Sequence, residues 1–286
     1  MRVFVTGASG WIGAPTTAQL LAHGHTVVGL ARSDDAAAAV EKLGAEVVRG
    51  ELADLDLLAA TAAASDAVVH LAFRHDVAFS GDFATAVASD RAAIESLTAD
   101  GTKVLIASGT LGLAPGRVGV ETDRPDPAAH PRIANAALAL ERGGIVVRFA
   151  PTVHGTHDGG FVATLVDIAR ETGVSGYLGD GSNRWPAVHV SDAADLTRRA
   201  LESAPAGTVL HATAEDGVTT LDIATAIGEH LDVPVKQVDD PAHFRFLAGF
   251  FGMDAPASSD LTRSLLDWAP TGPTLLEDLA AGAYQV

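Results

Sequence analysis

The stretch TGASGWIG at residues 6–13 decides the fold. Before it, RVFVT (2–6) is a short apolar run of strand character; after it, a helical stretch continues to about His23. Three glycines sit between the two. Gly7 permits a tight turn, Gly10 lets a backbone approach a pyrophosphate, and Gly13 lets the helix pack against the strand. The helix start adds free N–H groups and a partial positive charge, which suit phosphate. A bare strand-turn-helix can also carry a glycine triplet. The placement at a strand end and a helix start, in the first βα unit, points instead to a dinucleotide.

The next strand, TVVGLA (26–31), leads into RSD. NAD-type sites place an acidic residue at this strand end, on the ribose 2′-hydroxyl. Here Ala31 stands there, followed by Arg32 and Ser33. A guanidinium matches the charge and geometry of a 2′-phosphate, so the expected cofactor is NADP(H). The alternative is an ordinary surface arginine.

Outward from this unit the rhythm repeats. Apolar runs at 45–50, 66–73, 102–108 and 144–150 alternate with helical stretches at 34–43, after Asp54, at 82–99 and at 131–141. Nearly continuous Val/Ile/Leu runs between helices predict buried parallel strands, hence an α/β doubly wound (Rossmann) sheet covered on both faces. After Pro151 the spacing becomes irregular, except for the strand-helix pattern at 187–203. The expected division is a dinucleotide-binding part at 1–155 and 186–205, and a small substrate lobe at 156–185 and 206–286.

Composition limits the functions. The chain has 286 residues, 48% hydrophobic, enough for a sizeable core. A net charge of −17, with no run of Lys or Arg, argues against nucleic acid and anionic membrane as partners. The absence of cysteine removes disulfides, thiolate ligands and a cysteine nucleophile. No signal-peptide pattern opens the chain and no run is long enough to span a membrane, so a cytoplasmic protein is expected.

Several further motifs resemble the extended short-chain dehydrogenases/reductases, the epimerase- and dehydratase-type family. They are TGASGWIG itself, GELAD (50–54), HLA (70–72), ASGT (107–110), RFAPTVHG (148–155), RWPAVHVSDAADL (184–196) and LLDWAPTGPTLLEDL (265–279). The resemblance spans nearly the whole chain in order. It implies a cofactor loop at Gly7, Ser9, Gly10, Trp11 and Ile12, with Arg32 and Ser33 at the 2′-phosphate. Glu51 and Leu52 would frame the adenine, Leu71, Ala72 and Phe73 would line the cleft, and Pro151, Thr152 and Val153 would meet the nicotinamide end. A homodimer is implied by the same resemblance.

One departure governs the chemistry. The family's catalytic helix carries Tyr-x-x-x-Lys, and the helix expected there reads PRIANAALALE (131–141). The chain's two tyrosines are Tyr177 and Tyr284, and its lysines are Lys42, Lys103 and Lys236. Arg132 falls near the tyrosine position and Ala136 near the lysine position. Five residues are candidates to replace the pair. Ser108 or Thr110 could donate to a carbonyl oxygen, or bond its own backbone. His154 titrates near neutrality and could face substrate as an acid. Arg132 and Asn135 could orient substrate. No metal site is expected, since His154 and His157 have only Asp158 nearby. The aromatic segment 242–256 is either an apolar lid over a hydrophobic substrate or part of the lobe's own core.

The expected activity is NADP(H)-dependent reduction of a hydrophobic ketone, imine or activated C=C. The alternative is a catalytically silent NADP(H)-binding sensor. An epimerase is disfavoured, because that chemistry leans on the missing pair.

Overall fold

The computed structural model describes residues 1–284; the last two residues of the expected lobe lie outside them. The chain runs β1 (Arg2–Thr6), α1 (Gly13–Ala22), β2 (Thr26–Ala31), α2 (Asp34–Leu43), β3 (Glu46–Arg49), α3 (Leu55–Ala63), β4 (Ala67–His70), α4 (His75–Phe79), α5 (Phe83–Leu97), β5 (Lys103–Gly109), α6 (Pro131–Glu141), β6 (Ile145–Phe149) and β7 (Thr152–His154). It continues with α7 (Phe161–Thr172), β8 (Ser175–Tyr177), β9 (Arg184–His189), α8 (Val190–Ser203), β10 (Val209–Ala212), β11 (Glu215–Thr219), α9 (Thr220–Leu231) and β12 (Val235–Gln237). A 3₁₀ segment at Pro241–Gly249, then α10 (Asp260–Leu266) and α11 (Leu275–Ala280), completes it.

Seven parallel strands form the central sheet, in the order β10-β6-β5-β4-β1-β2-β3. Its strands are two-faced in the way a doubly covered sheet demands. Val3 and Val5 of β1 pack with Leu20 of α1 and Leu196 and Leu201 of α8. Phe4, between them, faces the other way and packs with Leu58, Ile94 and Ala139 of α3, α5 and α6. The chain winds from β1 towards β3, then returns to β4 and winds towards β6. A crevice therefore opens at the carboxyl ends of β1 and β4, where such folds bind ligands.

Two boundaries move from those expected. VLHA (209–212) is fully buried and pairs with β6 as the seventh central strand, rather than belonging to the lobe. Leu266 and Trp268, further along, also pack into the core beside α1 and α8. Conversely, β9 leaves the central sheet and lies between β7 and β11 in a small three-stranded sheet. A third core cluster gathers Trp185, Val162, Ile223, Leu275 and Leu279.

The aromatic segment after Pro241 is a wall of that cluster, so of its two readings the lobe's own core is the one the structure shows. Phe244 and Phe251 are buried, and Phe251 meets Trp185 edge-on at 5.3 Å. Phe250 stacks on Trp185 at 6.0 Å. Of the six large apolar side chains there, Leu247 is buried as well, and Phe246 and Met253 are the largely exposed ones, at 43% and 42%. Among the described residues, no helix is long and apolar enough to cross a membrane.

Candidate active site

The turn after β1 has no room for side chains. Gly7 has φ +73°, and a Cβ on it would come 2.9 Å from the Ala72 nitrogen. A Cβ on Gly13 would come 1.9 Å from the Gly7 carbonyl oxygen, and one on Gly10 would come 3.2 Å from the same atom. No side chain caps α1, as is also the case for α3, α4, α7 and α10, but α1 is the one whose start adjoins this glycine turn. A backbone cradle beside an uncapped helix start fits a pyrophosphate. Gly7, Ser9, Gly10, Trp11 and Ile12, the residues expected to hold the cofactor, all lie in this turn. The Trp11 indole donates to the Val153 carbonyl at 2.7 Å, joining the glycine turn directly to the Pro151–Thr152–Val153 turn. The Thr152 hydroxyl donates to the Pro186 carbonyl, so it braces that turn rather than facing the crevice.

Parallel register sets the other wall. His70 pairs with Ile106, and Ser108 with Arg148. Leu71–Phe73, Ser108 and Pro151 therefore sit together along the carboxyl edge of β4, β5 and β6. The Ser108 hydroxyl is half-buried, with no hydrogen bond from the described residues. Thr110 is buried, its hydroxyl turned at 3.5 Å towards the Phe149 carbonyl. Of the two, Ser108 is the one free to meet a substrate.

At the end of β2, the Arg32 guanidinium is exposed and meets Asp76 at 3.1 Å. The Ser33 hydroxyl accepts from the Ala36 N–H as the cap of α2, so it is already engaged. Glu51 N–H donates to Asp54 at 2.8 Å, which fixes the loop after β3, and Leu52 is buried in the core beneath.

Behind the crevice lies a buried polar chain that sequence reasoning missed. The Thr6 hydroxyl meets His70 Nδ1 at 2.7 Å, and His70 Nε2 donates to Asp90 at 3.2 Å. The other Asp90 oxygen accepts from the Asn135 amide at 2.7 Å, and that amide also donates to the Val87 carbonyl at 3.1 Å. Burial alone would raise the Asp90 carboxyl. The hydrogen bond and charge of His70, the charge of Arg132 and the Asn135 amide together hold it below its ordinary value. Asn135 is thus a buried tie between α5 and α6, which corrects its reading as a substrate-orienting residue. Asn135→Leu is expected to lower stability by about 1–3 kcal/mol, the cost of a buried carboxylate losing its donor, without altering cofactor affinity. Thermal melts and a nucleotide titration check this; an unchanged melt with lost turnover would return Asn135 to the substrate.

Arg132 behaves differently from its neighbour. Its guanidinium lies over the Phe73 ring, 4.3 Å from the centroid. Among the described residues it makes no side-chain hydrogen bond or ion pair. Burial pushes its pKa below the ordinary value, with Asp90 offsetting part of this. Around it, Phe73 contacts His75 at 5.1 Å and Phe83 at 6.3 Å, and Phe83 contacts His130 at 5.4 Å. Burial and then the Arg132 charge lower both imidazoles. The result is a partly buried cation with unused donors, set in an aromatic rim beside the cofactor cleft.

His154 does not reach the crevice. It is fully buried, and its Nδ1 donates to Asp278 at 2.6 Å. Burial pushes its pKa down despite Asp278. Its exit from the crevice follows from β7, whose alternation points it towards α11. His189 lies beside it at 5.5 Å, ring to ring. Asp192 accepts from the Thr271 and Gly272 amides and pins the C-terminal turn. Among the described residues no group of side chains is arranged to hold a metal. The tyrosines and lysines lie elsewhere: Tyr284 donates to Asp158, and Lys103 begins β5 at the opposite edge of the sheet.

Comparison with known proteins agrees with this frame. The model of the NAD dependent epimerase/dehydratase family matches residues 3–131. The uncharacterized protein YLL056C of Saccharomyces cerevisiae is 42% identical, over 98% of both chains. A 4-hydroxy-2-methyl-3-oxo-4-farnesyl-3,4-dihydroquinoline-1-oxide ketoreductase from Stigmatella aurantiaca is 28% identical, over 73% of this chain and 67% of that one. Among solved structures, dTDP-glucose 4,6-dehydratase of Bacillus anthracis in complex with NAD superposes with a TM-score of 0.75. It is 17% identical, over 99% of this chain and 95% of that one. The glycine cradle, the crevice at the strand reversal and these likenesses agree: the chain belongs to the NAD dependent epimerase/dehydratase family.

Proposed function

We propose that this protein is an NADP(H)-dependent reductase of a bulky apolar ketone, imine or activated C=C, working without the usual tyrosine and lysine. The observation that carries this reading is Arg132, an unpaired guanidinium at the cofactor cleft on the very helix that should carry the missing pair. The bound cofactor supplies the hydride. The chain's own part is to place and polarise the acceptor. Ser108 donates a hydrogen bond to the substrate oxygen or nitrogen, and the proton that completes the reduction comes through this hydroxyl or from water. Arg132 faces the charge that develops there, in a site where burial strengthens the interaction. Phe73 and Phe83 offer the apolar body of the substrate an aromatic wall. The name of the Stigmatella relative, a ketoreductase of a farnesylated ring ketone, supports a hydrophobic carbonyl. Arg32 at the end of β2, with no acidic residue in that place, supports NADP(H) over NAD(H).

The expected result is NADPH binding at least about tenfold tighter than NADH, the value of one charge-assisted contact. NADPH should be consumed with some members of a panel of bulky ketones, cyclic imines and enones. Tight NADPH binding with no turnover across the panel would overturn the reductase and favour a nucleotide sensor. Among the described residues no phenol or amine lies at the cleft, an observation on the sensor's side.

A further inference from the structure

Arg32 alone would be a modest phosphate site. The structure brings a second guanidinium to it. Arg74 directly follows Phe73, on the connection from β4 to α4. Its Nε and Nη2 donate to Asp76 at 3.3 and 3.4 Å, and Arg32 Nη1 donates to the same carboxylate at 3.1 Å. Strands β2 and β4 are not neighbours, because β1 lies between them. This bridge therefore spans the carboxyl end of β1, above the glycine turn. It forms a clasp across the groove in which a dinucleotide would lie.

The chemistry of the clasp is that of a phosphate site holding a substitute. One carboxylate, with two oxygens and one charge, is shared by two guanidinium forks. The hydrogen bond from Arg74, together with Arg32, holds the Asp76 carboxyl down to about 2. A phosphomonoester brings three oxygens and up to two charges to the same donors, a better match. The other groups nearby are engaged. Arg49 donates to the Ser33 carbonyl and to Asp34, and the Ser33 hydroxyl caps α2. Arg32, Arg74 and Asp76 remain accessible, with side chains 59%, 32% and 45% exposed.

We propose that Arg74 is the second ligand of the cofactor's 2′-phosphate, and that Asp76 holds both guanidinium groups until the phosphate displaces it. The proposal rests on the NADP(H) reading and adds residues from a separate loop to it. Asp76 then acts as a competitor. It keeps the clasp shut without nucleotide and sets the affinity of the site.

The test is calorimetric binding of NADP⁺ and NAD⁺ to the wild-type protein and to Arg74→Ala, Arg32→Ala and Asp76→Asn. Arg32 and Asp76 are exposed and Arg74 is partly so, and thermal melts should stay near wild type. Arg74→Ala should weaken NADP⁺ about tenfold or more and leave NAD⁺ nearly unchanged, as expected for loss of one charge-assisted pair. Asp76→Asn should tighten NADP⁺ several-fold and again spare NAD⁺. Wild-type preference for NADP⁺ that survives Arg74→Ala unchanged would overturn the clasp while leaving the cofactor reading intact. Weaker NADP⁺ binding by Asp76→Asn would overturn the competitor role. Wild-type protein that binds NAD⁺ as tightly as NADP⁺ would overturn the cofactor reading, and the clasp with it.

Discussion

Gly13→Ala should cost this protein about 3 kcal/mol or more, the scale of overpacking where nothing can yield. For a chain of this size that is a fall in Tm of roughly 6–12 °C. A Cβ at Gly13 lands 1.9 Å from the Gly7 carbonyl oxygen and 2.8 Å from its carbon. Both are backbone atoms. Gly7 cannot retreat, because its own position is set by a positive φ and by Ala72, 2.9 Å from where its Cβ would lie. The helix must move instead. Its inner face, with Leu20, is packed against α8 and the central sheet, so movement opens the core. The same shift withdraws the helix start from the turn, and nucleotide binding should be lost as well.

Gly10→Ala provides the contrast. Its Cβ would be 3.2 Å from the Gly7 oxygen, a contact relieved by a shift of a few tenths of an ångström. Its stability cost should be small, while the methyl group stands in the pyrophosphate path and NADP⁺ affinity falls. Melting curves and nucleotide titrations of the two variants separate packing from binding. A wild-type melting temperature for Gly13→Ala would show that the helix does not pack as described.

Much of this fold is written locally. Buried parallel strands must be apolar on both faces, so runs such as VVGL and VLIA announce themselves, and α2 and α6 begin and end where their caps and prolines place them. What escaped the sequence depends on partners far along the chain. VLHA looks like any short strand, and its union with β6 joins residues more than sixty positions apart. The aromatic segment after Pro241 has the composition of a lid, but only the buried Trp185 shows that it is a wall.

The site divides along the same line. The glycine turn and Arg32 are local signals. His154 and Asn135 carry plausible chemistry, but which way each points is decided by Asp278 and Asp90, on distant helices. Thr6 and His70 did leave a trace, as polar residues inside apolar strands, and their reason appears only with Asp90. Arg74 and Asp76 left none, since their value comes from a contact across β1.

The second large effect is expected at Arg132. Arg132→Met should lower kcat/KM for the best ketone or imine by about 10²–10³-fold, the usual effect of removing one donor aimed at developing negative charge. Stability should hardly change. Among the described residues the guanidinium forms no hydrogen bond or ion pair, and burial costs its charge more than the attraction of Asp90 returns. Its stacking on Phe73 contributes about 0.5–1 kcal/mol, and the apolar methionine retains much of that contact. Arg132→Lys keeps a charge but not the planar fork, and should recover only part of the rate. NADPH affinity should stay near wild type in both variants, because the clasp and the glycine cradle are untouched. The loss should also appear in kcat rather than in KM alone, since the interaction strengthens as charge develops on the substrate. Asn135→Leu, one turn along the same helix, should show the opposite pattern, with a lower melting temperature and a largely preserved rate in the protein that remains folded. Full activity in Arg132→Met would remove Arg132 from the chemistry and leave Ser108 as the donor to the substrate. A large fall in Tm would mean instead that the guanidinium holds the rim together, and that its unused donors are not kept for a substrate.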